Sequence, residues 1–354
     1  MSKRVYLGMD LGSTVCEAVA RDEAGKIIGS LKFPPGEREL RRAAAHFKGE
    51  VQVLLEEGEL AHWAAGCIRG LVQEVIVCDP KRNAWIFKDS RKDDRVDAGK
   101  LAEILRLGQY RAVYQSEDED LASFKKLVTW YEELNEKQKR LKVQIKARLR
   151  REGVIEKSPT APFTAEGRRG CLARVENRYS REAIAGMYEL LDGILEAREK
   201  ARRSMFAFGG RYPVVRMLRE VPGVGGILAC RFVAYVQDPH RFRSKRQLWR
   251  YARLGITDRR SDGKPLGRRR LDRSGVGPLK DLSRKAFDAA RRCKEENLFQ
   301  RTYRASLTRT EDPVHARLNT QRKILSVLLS MWRNGTEYED ENQGLKDGRE
   351  AARN

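Results

Sequence analysis

Between residues 4 and 115 the apolar positions switch repeatedly between a two-residue and a three-to-four-residue period. Val5 to Asp10 reads as a buried strand, Thr14 to Arg21 as a second and Lys26 to Phe33 as a third, with Asp22-Glu23-Ala24-Gly25 supplying a turn. The spacing then predicts a helix from Glu37 to His46, a strand from Val51 to Leu55 and a helix from Glu59 to Gly70. A strand from Glu74 to Cys78 and a helix from Arg95 to Leu107 follow. A three-strand meander that continues into alternating helix and strand predicts a mixed α/β sheet.

The pattern changes after Ser116. Leu121, Phe124, Val128, Tyr131, Leu134, Leu141, Ile145 and Leu149 recur by threes and fours in a charged run that ends at Arg151, and a second such run covers Glu176 to Met205. The proline-bearing stretch from Lys157 to Thr164 and the glycines of Gly167 to Gly170 interrupt the period between them, which predicts an antiparallel helical hairpin or a dimerising coiled coil. A further globular unit begins near Tyr212. It carries a helix from Ile227 to Val236, another around Gln247 to Tyr251, a glycine- and arginine-rich loop from Gly255 to Gly277, and helices from about Leu279 to Trp332, stopped at Asn334-Gly335. The expected organisation is an α/β unit over 1–115, a helical coiled-coil region over 116–210, a mainly helical unit over 211–335 and a disordered charged tail over 336–354.

Charge narrows the partners. The chain of 354 residues holds 72 Lys and Arg against 50 Asp and Glu, a net +22 spread along its length, which suits a long polyanion better than a small acidic ligand. Nucleic acid is therefore the expected partner. An anionic membrane is disfavoured because no apolar run approaches the roughly 20 residues a span requires. The six cysteines are scattered, without a Cys-x-x-Cys pair or a His at zinc-finger spacing, and read as buried thiols of a reducing compartment. The start, Met1 to Ser13, lacks the apolar core of a secretory signal, so a cytoplasmic, nucleoid-associated protein is expected.

Within this basic chain four carboxylates stand out. Asp10 ends the first strand between two glycines, and an acid at the end of a buried strand is costly unless it is paired or metal-bound. Glu56 follows Val51 to Leu55 in the same way, with Glu57 beside it as an alternative. Asp94 and Asp97 lie three apart at the start of a helix whose inward stripe runs on through Leu101, Ile104 and Leu105. Hard oxygen ligands from three elements suit Mg²⁺, or Mn²⁺, at a phosphodiester. The competing reading of Asp94 and Asp97 is that the helix dipole alone favours them there.

Two further segments carry chemistry. Ser261 is a small hydroxyl among Arg259, Arg260, Lys264, Arg268, Arg269 and Arg270. Cationic, phosphate-binding surroundings position a phosphorus for such a nucleophile, and the bland alternative is a turn residue in a phosphate-binding loop. Val221-Pro222-Gly223-Val224-Gly225 before an apolar helix has the form of a helix-hairpin-helix element, in which the amides around Gly223 and Gly225 bind a phosphate; otherwise it is a tight turn between core helices.

Taken in order, these pieces resemble the IS110/IS1111 family of insertion-sequence transposases over nearly the whole chain. The likeness is carried by Gly8-Met9-Asp10, Glu56-Glu57-Gly58, Cys78-Asp79-Pro80 with Arg82-Asn83, and Lys92-Asp93-Asp94-Arg95-Val96-Asp97-Ala98 with Leu101-Ala102. Val221 to Gly225, Phe242-Arg243-Ser244 and Arg260-Ser261-Asp262-Gly263 complete it. The resemblance implies an N-terminal ribonuclease H-like (RuvC-like) nuclease domain with a DEDD metal site, a coiled coil, and a C-terminal transposase domain with a nucleophilic serine. By motif, Asp10, Glu56, Asp94 and Asp97 would hold Mg²⁺ and Ser261 would attack DNA. The family's Glu-x-x-Gly is here Glu56-Glu57-Gly58, and its Ser-Gly pair is Ser261-Asp262-Gly263. The resemblance further implies donor and target DNA, a structured guide RNA, and a homo-oligomer that acts as a dimer or as a tetramer on paired DNA. The alternatives are a junction-resolving endonuclease that uses water, or a non-enzymatic nucleic-acid-binding scaffold.

Overall fold

The computed structural model describes residues 3–80, 94–116, 118–257, 260–261, 264–265 and 270–340; at Asp94, Glu119, Arg260, Ser261, Lys264 and Pro265 it describes the backbone alone. The chain divides into two compact units, Met1–Glu117 and Asp118–Asn354.

In the first unit β1 (Arg4–Leu11), β2 (Cys16–Arg21) and β3 (Ile27–Phe33) form the meander. After α1 (Glu37–His46) come β4 (Glu50–Glu56), α2 (Ala61–Ile68), β5 (Glu74–Cys78) and α3 (Asp94–Arg106). The sheet order is β3-β2-β1-β4-β5, with β1 antiparallel to β2 and parallel to β4, the arrangement expected of a ribonuclease H-like domain. Val77 and Asp79 bond residues 113 and 111 across the free edge of β5, covering it.

The central strands are apolar on both faces because helices lie on both. Leu7, Met9, Val53 and Leu55 pack with Leu40 and Ala43 of α1 and Ala64 and Ile68 of α2. On the opposite face Leu54, Ile76 and Cys78 meet Leu101, Ile104 and Leu105 of α3. Gly8 lets α3 come close: a Cβ there would stand 2.1 Å from the Ala98 carbonyl oxygen and 2.4 Å from the Ala102 nitrogen. Gly12 serves the β1–β2 turn instead, its N–H donating to the Val15 carbonyl at 3.0 Å. Arg106 fixes the far end of α3, bonding Glu103 at 2.5 Å and the Glu23 carbonyl at 3.3 Å.

The second unit opens with α4 (Glu119–Arg151), whose first turn is capped by Asp118. A single-turn 3₁₀ segment (Ala161–Phe163), α5 (Ala165–Ala173) and α6 (Arg178–Gly209) follow. Phe124 near the start of α4 stacks on Phe208 near the end of α6 at 5.5 Å, while Leu149 at the other end clusters with Ile184. The two long helices are thus an antiparallel hairpin that consumes both apolar stripes within one chain. The expected break at Gly167 to Gly170 is a helix, because Thr164 caps its N-terminus and Gly167 sits where a Cβ would be 1.9 Å from the Ala161 carbonyl oxygen.

The rest of the unit comprises α7 (Pro213–Leu218), α8 (Gly226–Val236), α9 (Lys245–Tyr251), the short strands β6 (Ile256–Thr257), β7 (Arg260–Ser261), β8 (Lys264–Pro265) and β9 (Arg270–Leu271), then α10 (Gly277–Ala290), α11 (Leu298–Thr310) and α12 (Pro313–Asn334). Helix α8 is apolar nearly all round and is buried from Ala229 to Val236. Within it Arg231, 5% exposed, pairs with Glu132 and, at 3.2 Å, with Asp281, and bonds the Pro278 carbonyl.

Of the tail expected from residue 336, residues 341–354 lie outside the described set, and residues up to 340 are tied down. Asp340 accepts the Leu298 N–H at 2.8 Å at the start of α11 and pairs with Arg301 at 2.6 Å. The cysteines also divide: Cys16, Cys78, Cys171 and Cys230 are buried, but Cys67 is half-buried and Cys293 is exposed on the turn after α10. Among the described residues no helix is long and apolar enough to cross a membrane.

Asp281 yields a pH prediction. Burial pushes its carboxyl up, but hydrogen bonds from Lys285 and Arg284 and the charges of Lys285 and Arg231 outweigh this and hold it at about 2. A depressed carboxylate stabilises the fold above its unfolded value of roughly 3.9, and that contribution is lost as pH falls towards 2. Melting temperatures of wild type and Asp281→Asn should therefore differ most at pH 5 and above and converge near pH 2; a constant gap would refute the assignment.

Candidate active site

The carboxylates are placed by register. In the parallel β1–β4 pair the last partners are Met9 and Leu55, so Asp10 and Glu56 are the next residues on adjacent strands. Side chains alternate between faces along a strand. Gly8 backs onto α3 and Leu54 packs against it, so Asp10 and Glu56, two residues on, share the α3 face. Asp97 lies in the first turn of α3, beside Ala98, which presses on Gly8. Three elements thereby bring three acids to the carboxyl end of the central strands.

Electrostatics record the approach. Burial raises the Glu56 carboxyl above the usual range, and the charges of Asp10 and then Asp97 raise it further. Asp10 also raises the Cys16 thiol, behind the larger effect of burial. Lys100 answers part of the negative charge, its Nζ 3.8 Å from Asp97. Glu57 differs from its neighbour: it is exposed, and its backbone N–H donates to the Cys78 carbonyl at 2.9 Å. Asp94 opens α3, but its side chain lies outside the described residues.

Among the described residues no three His, Cys, Asp or Glu side chains are close enough to hold an ion by themselves. The donor set nonetheless fits a hard divalent cation. Asp10, Glu56 and Asp97 offer oxygen donors, and a group of like charges that raises one member's pKa is what such a cation relieves.

Ser261 belongs to the second unit and lies in an element that was expected to be a loop. β6 pairs with β9, and β7 pairs with β8 through Arg260–Pro265 and Ser261–Lys264, so the segment rises as an antiparallel ribbon. Ser261 and Lys264 are the outermost paired positions, two residues apart across Asp262-Gly263, a dipeptide favoured in tight hairpins and the missed signal for this ribbon. At the root, Asp272 donates its N–H to the Gly255 carbonyl and Val276 to that of Tyr251. Arg270 is exposed on β9. Arg259, Arg268 and Arg269 lie outside the described residues, and only the backbones of Arg260 and Lys264 are described.

Val221 to Gly225 forms a tight turn between α7 and α8. The Val224 N–H donates to the Val221 carbonyl at 2.8 Å, and Gly223 takes φ +82°, the conformation glycine permits at the third position of such a turn. Gly223 also packs on α10, where a Cβ would be 2.2 Å from the Ala286 carbonyl oxygen. Gly225 precedes α8 with no side-chain cap and open space around its Cα.

Comparison with known proteins agrees with this layout. Curated proteins provide no match to the chain. A transposase family model of the DEDD IS110 type matches residues 7–152, which contain all four acids. The model of the IS116/IS110/IS902 transposase family matches residues 215–304, which contain the turn at Gly223 and Ser261. With matches to both parts in this order, spanning most of its length, the chain belongs to the IS110 family of transposases.

Proposed function

We propose that this transposase cuts and rejoins DNA by attack of the Ser261 hydroxyl on a phosphodiester, supported by Mg²⁺ held by Asp10, Glu56, Asp94 and Asp97. The observation that carries the metal half is the raised Glu56 carboxyl, which shares the field of Asp10 and Asp97 at the ends of β1, β4 and α3. Glu56 is preferred to the exposed Glu57 on the same ground. When bound, Mg²⁺ supplies Lewis-acid stabilisation of the negative oxygens at phosphorus. Ser261 forms an Oγ–P bond as the bond to one deoxyribose oxygen breaks, and the serine proton ends on the released hydroxyl. Attack by the hydroxyl of another strand reverses the exchange, so the phosphodiester is restored without an outside energy source. Arg259, Arg260, Lys264, Arg268, Arg269 and Arg270, with the amides at Gly223 and Gly225, hold the phosphates.

The acids and the serine belong to different units of the chain, which supports assembly of the site within a homo-oligomer, a dimer or a tetramer on paired DNA. A structured RNA would choose donor and target by pairing, in keeping with a net charge of +22 and a sequence that shows no base-reading motif. The test is covalent trapping on DNA with Mg²⁺. The wild type is expected to give a protein–DNA adduct and Ser261→Ala none. Cleavage without an adduct in the wild type would instead identify water as the nucleophile.

A further inference from the structure

At the root of the ribbon the second unit contains a cleft of about 800 Å³ between β9, the start of α10 and the first half of α12. Its walls are cationic. Arg270, Arg273, Lys280 and Arg317 line it, and none of them forms an ion pair among the described residues. The acids on the same walls are already engaged: Asp281 binds Arg231, Arg284 and Lys285, and Asp272 accepts the Ser274 N–H and faces Arg250. Helix α10 begins at Gly277, on the cleft, with no side-chain cap over its first amides.

A second, independent feature is Gln321. It lines the cleft yet is only 2% exposed, and its Oε1 has no hydrogen-bond partner. A buried amide oxygen left unpaired is costly, which marks a position that a ligand completes. Unpaired cations around such an amide do not suit an apolar guest or a cation. They suit a chain of phosphates carrying sugar hydroxyls or base amino groups.

We propose that this cleft binds the sugar–phosphate backbone of a nucleic-acid strand through Arg273, Lys280 and Arg317, with Gln321 contacting a sugar or base, and delivers that strand to the ribbon that carries Ser261. The inference rests on the serine reading only in that last clause; binding in the cleft stands by itself. Both DNA and RNA offer this chemistry, and the experiment separates them.

The full chain is titrated by fluorescence anisotropy against labelled single-stranded DNA, duplex DNA and RNA of one sequence, over a range of salt. In Lys280→Gln/Arg317→Gln affinity should fall at least about tenfold, and the slope of log K against log salt should fall by about 1.4 to 1.8, for two lost phosphate contacts. The nucleic acid with the largest change is the cleft's ligand. Gln321→Met should weaken binding severalfold with the slope unchanged, while its melting temperature stays level or rises because the orphaned oxygen is gone. The charge-matched pair Lys200→Gln/Arg203→Gln on α6 serves as control. An unchanged slope in the cleft pair, or an equal loss in the control, overturns the proposal.

Adduct formation measured in parallel distinguishes the two readings. If the wild type forms the adduct and the cleft variants bind and react normally, the cleft is refuted and the serine stands. If the wild type forms no adduct while the cleft variants lose affinity, the serine is refuted and the cleft stands.

Discussion

Asp10→Asn is expected to reduce Mg²⁺-dependent DNA cleavage by about a hundredfold or more while raising the melting temperature of the metal-free protein. Both effects have one cause. Glu56 is held protonated to a higher pH than an ordinary carboxyl, first by burial and then by the charges of Asp10 and Asp97. An acid whose folded pKa is raised costs the fold stability as pH climbs from the unfolded value through the folded one, and above that window the cost is complete. Removing the Asp10 charge lessens that cost, so the gain should be largest at neutral pH and should vanish in acid. At an order-of-magnitude 1 kcal/mol the shift is about 4 °C for a unit of this size. Mg²⁺ should raise the melting temperature of the wild type at neutral pH and leave Asp10→Asn nearly unmoved, since ligand that binds only the folded state stabilises it by mass action. Calorimetry between pH 4 and 8, with and without Mg²⁺, measures all of this. A variant that melts lower than wild type at pH 7 and still responds fully to Mg²⁺ would show that Asp10 is not part of a cation site.

The parts of the fold written in strong local periods were legible before any coordinates. The meander, the alternation that follows and the two long helices come from residues such as Val5, Leu7, Leu101 and Phe124, whose burial repeats at the period of their own element. Asp10, Glu56 and Asp97 could be nominated because each sits where a strand ends or a helix begins. Their convergence could not, since it depends on the β1–β4 register and on how closely α3 approaches Gly8. Features decided by tertiary contact were missed. Gly167 reads as a break but sits within a helix that folds tightly onto the Ala161 carbonyl. The tail residue Asp340 reads as solvent-facing but caps α11. The run from Leu279 to Trp332 is interrupted by the capping box Asn297–Gln300 and by Asp312 before Pro313, both of which are visible once side-chain capping is weighed against apolar spacing.

The carboxylate site can also be broken without touching an acid. Gly8→Val is expected to destabilise the first unit by about 3–5 kcal/mol, at the upper end of the range for overpacking. The new Cβ would lie 2.1 Å from the Ala98 oxygen, 2.4 Å from the Ala102 nitrogen and 2.8 Å from the Leu101 Cβ. Two of these are backbone atoms of a helix, so no rotamer change relieves the clash and α3 must lift as a body. Lifting it separates Leu101, Ile104 and Leu105 from Leu54 and Ile76, and it carries Asp97 away from Glu56. Residual folded protein should therefore respond more weakly to Mg²⁺. Gly99, in the same helix, is the control: its Cβ would meet nothing nearer than Val19 Cγ1 at 3.8 Å. Replacing that mid-helix glycine with alanine should stabilise the unit by up to about 1 kcal/mol. Denaturant melts of the two variants check the contrast. If Gly8→Val melts like wild type, α3 does not rest on β1 at that glycine, and the placement of Asp97 beside Glu56 falls with it.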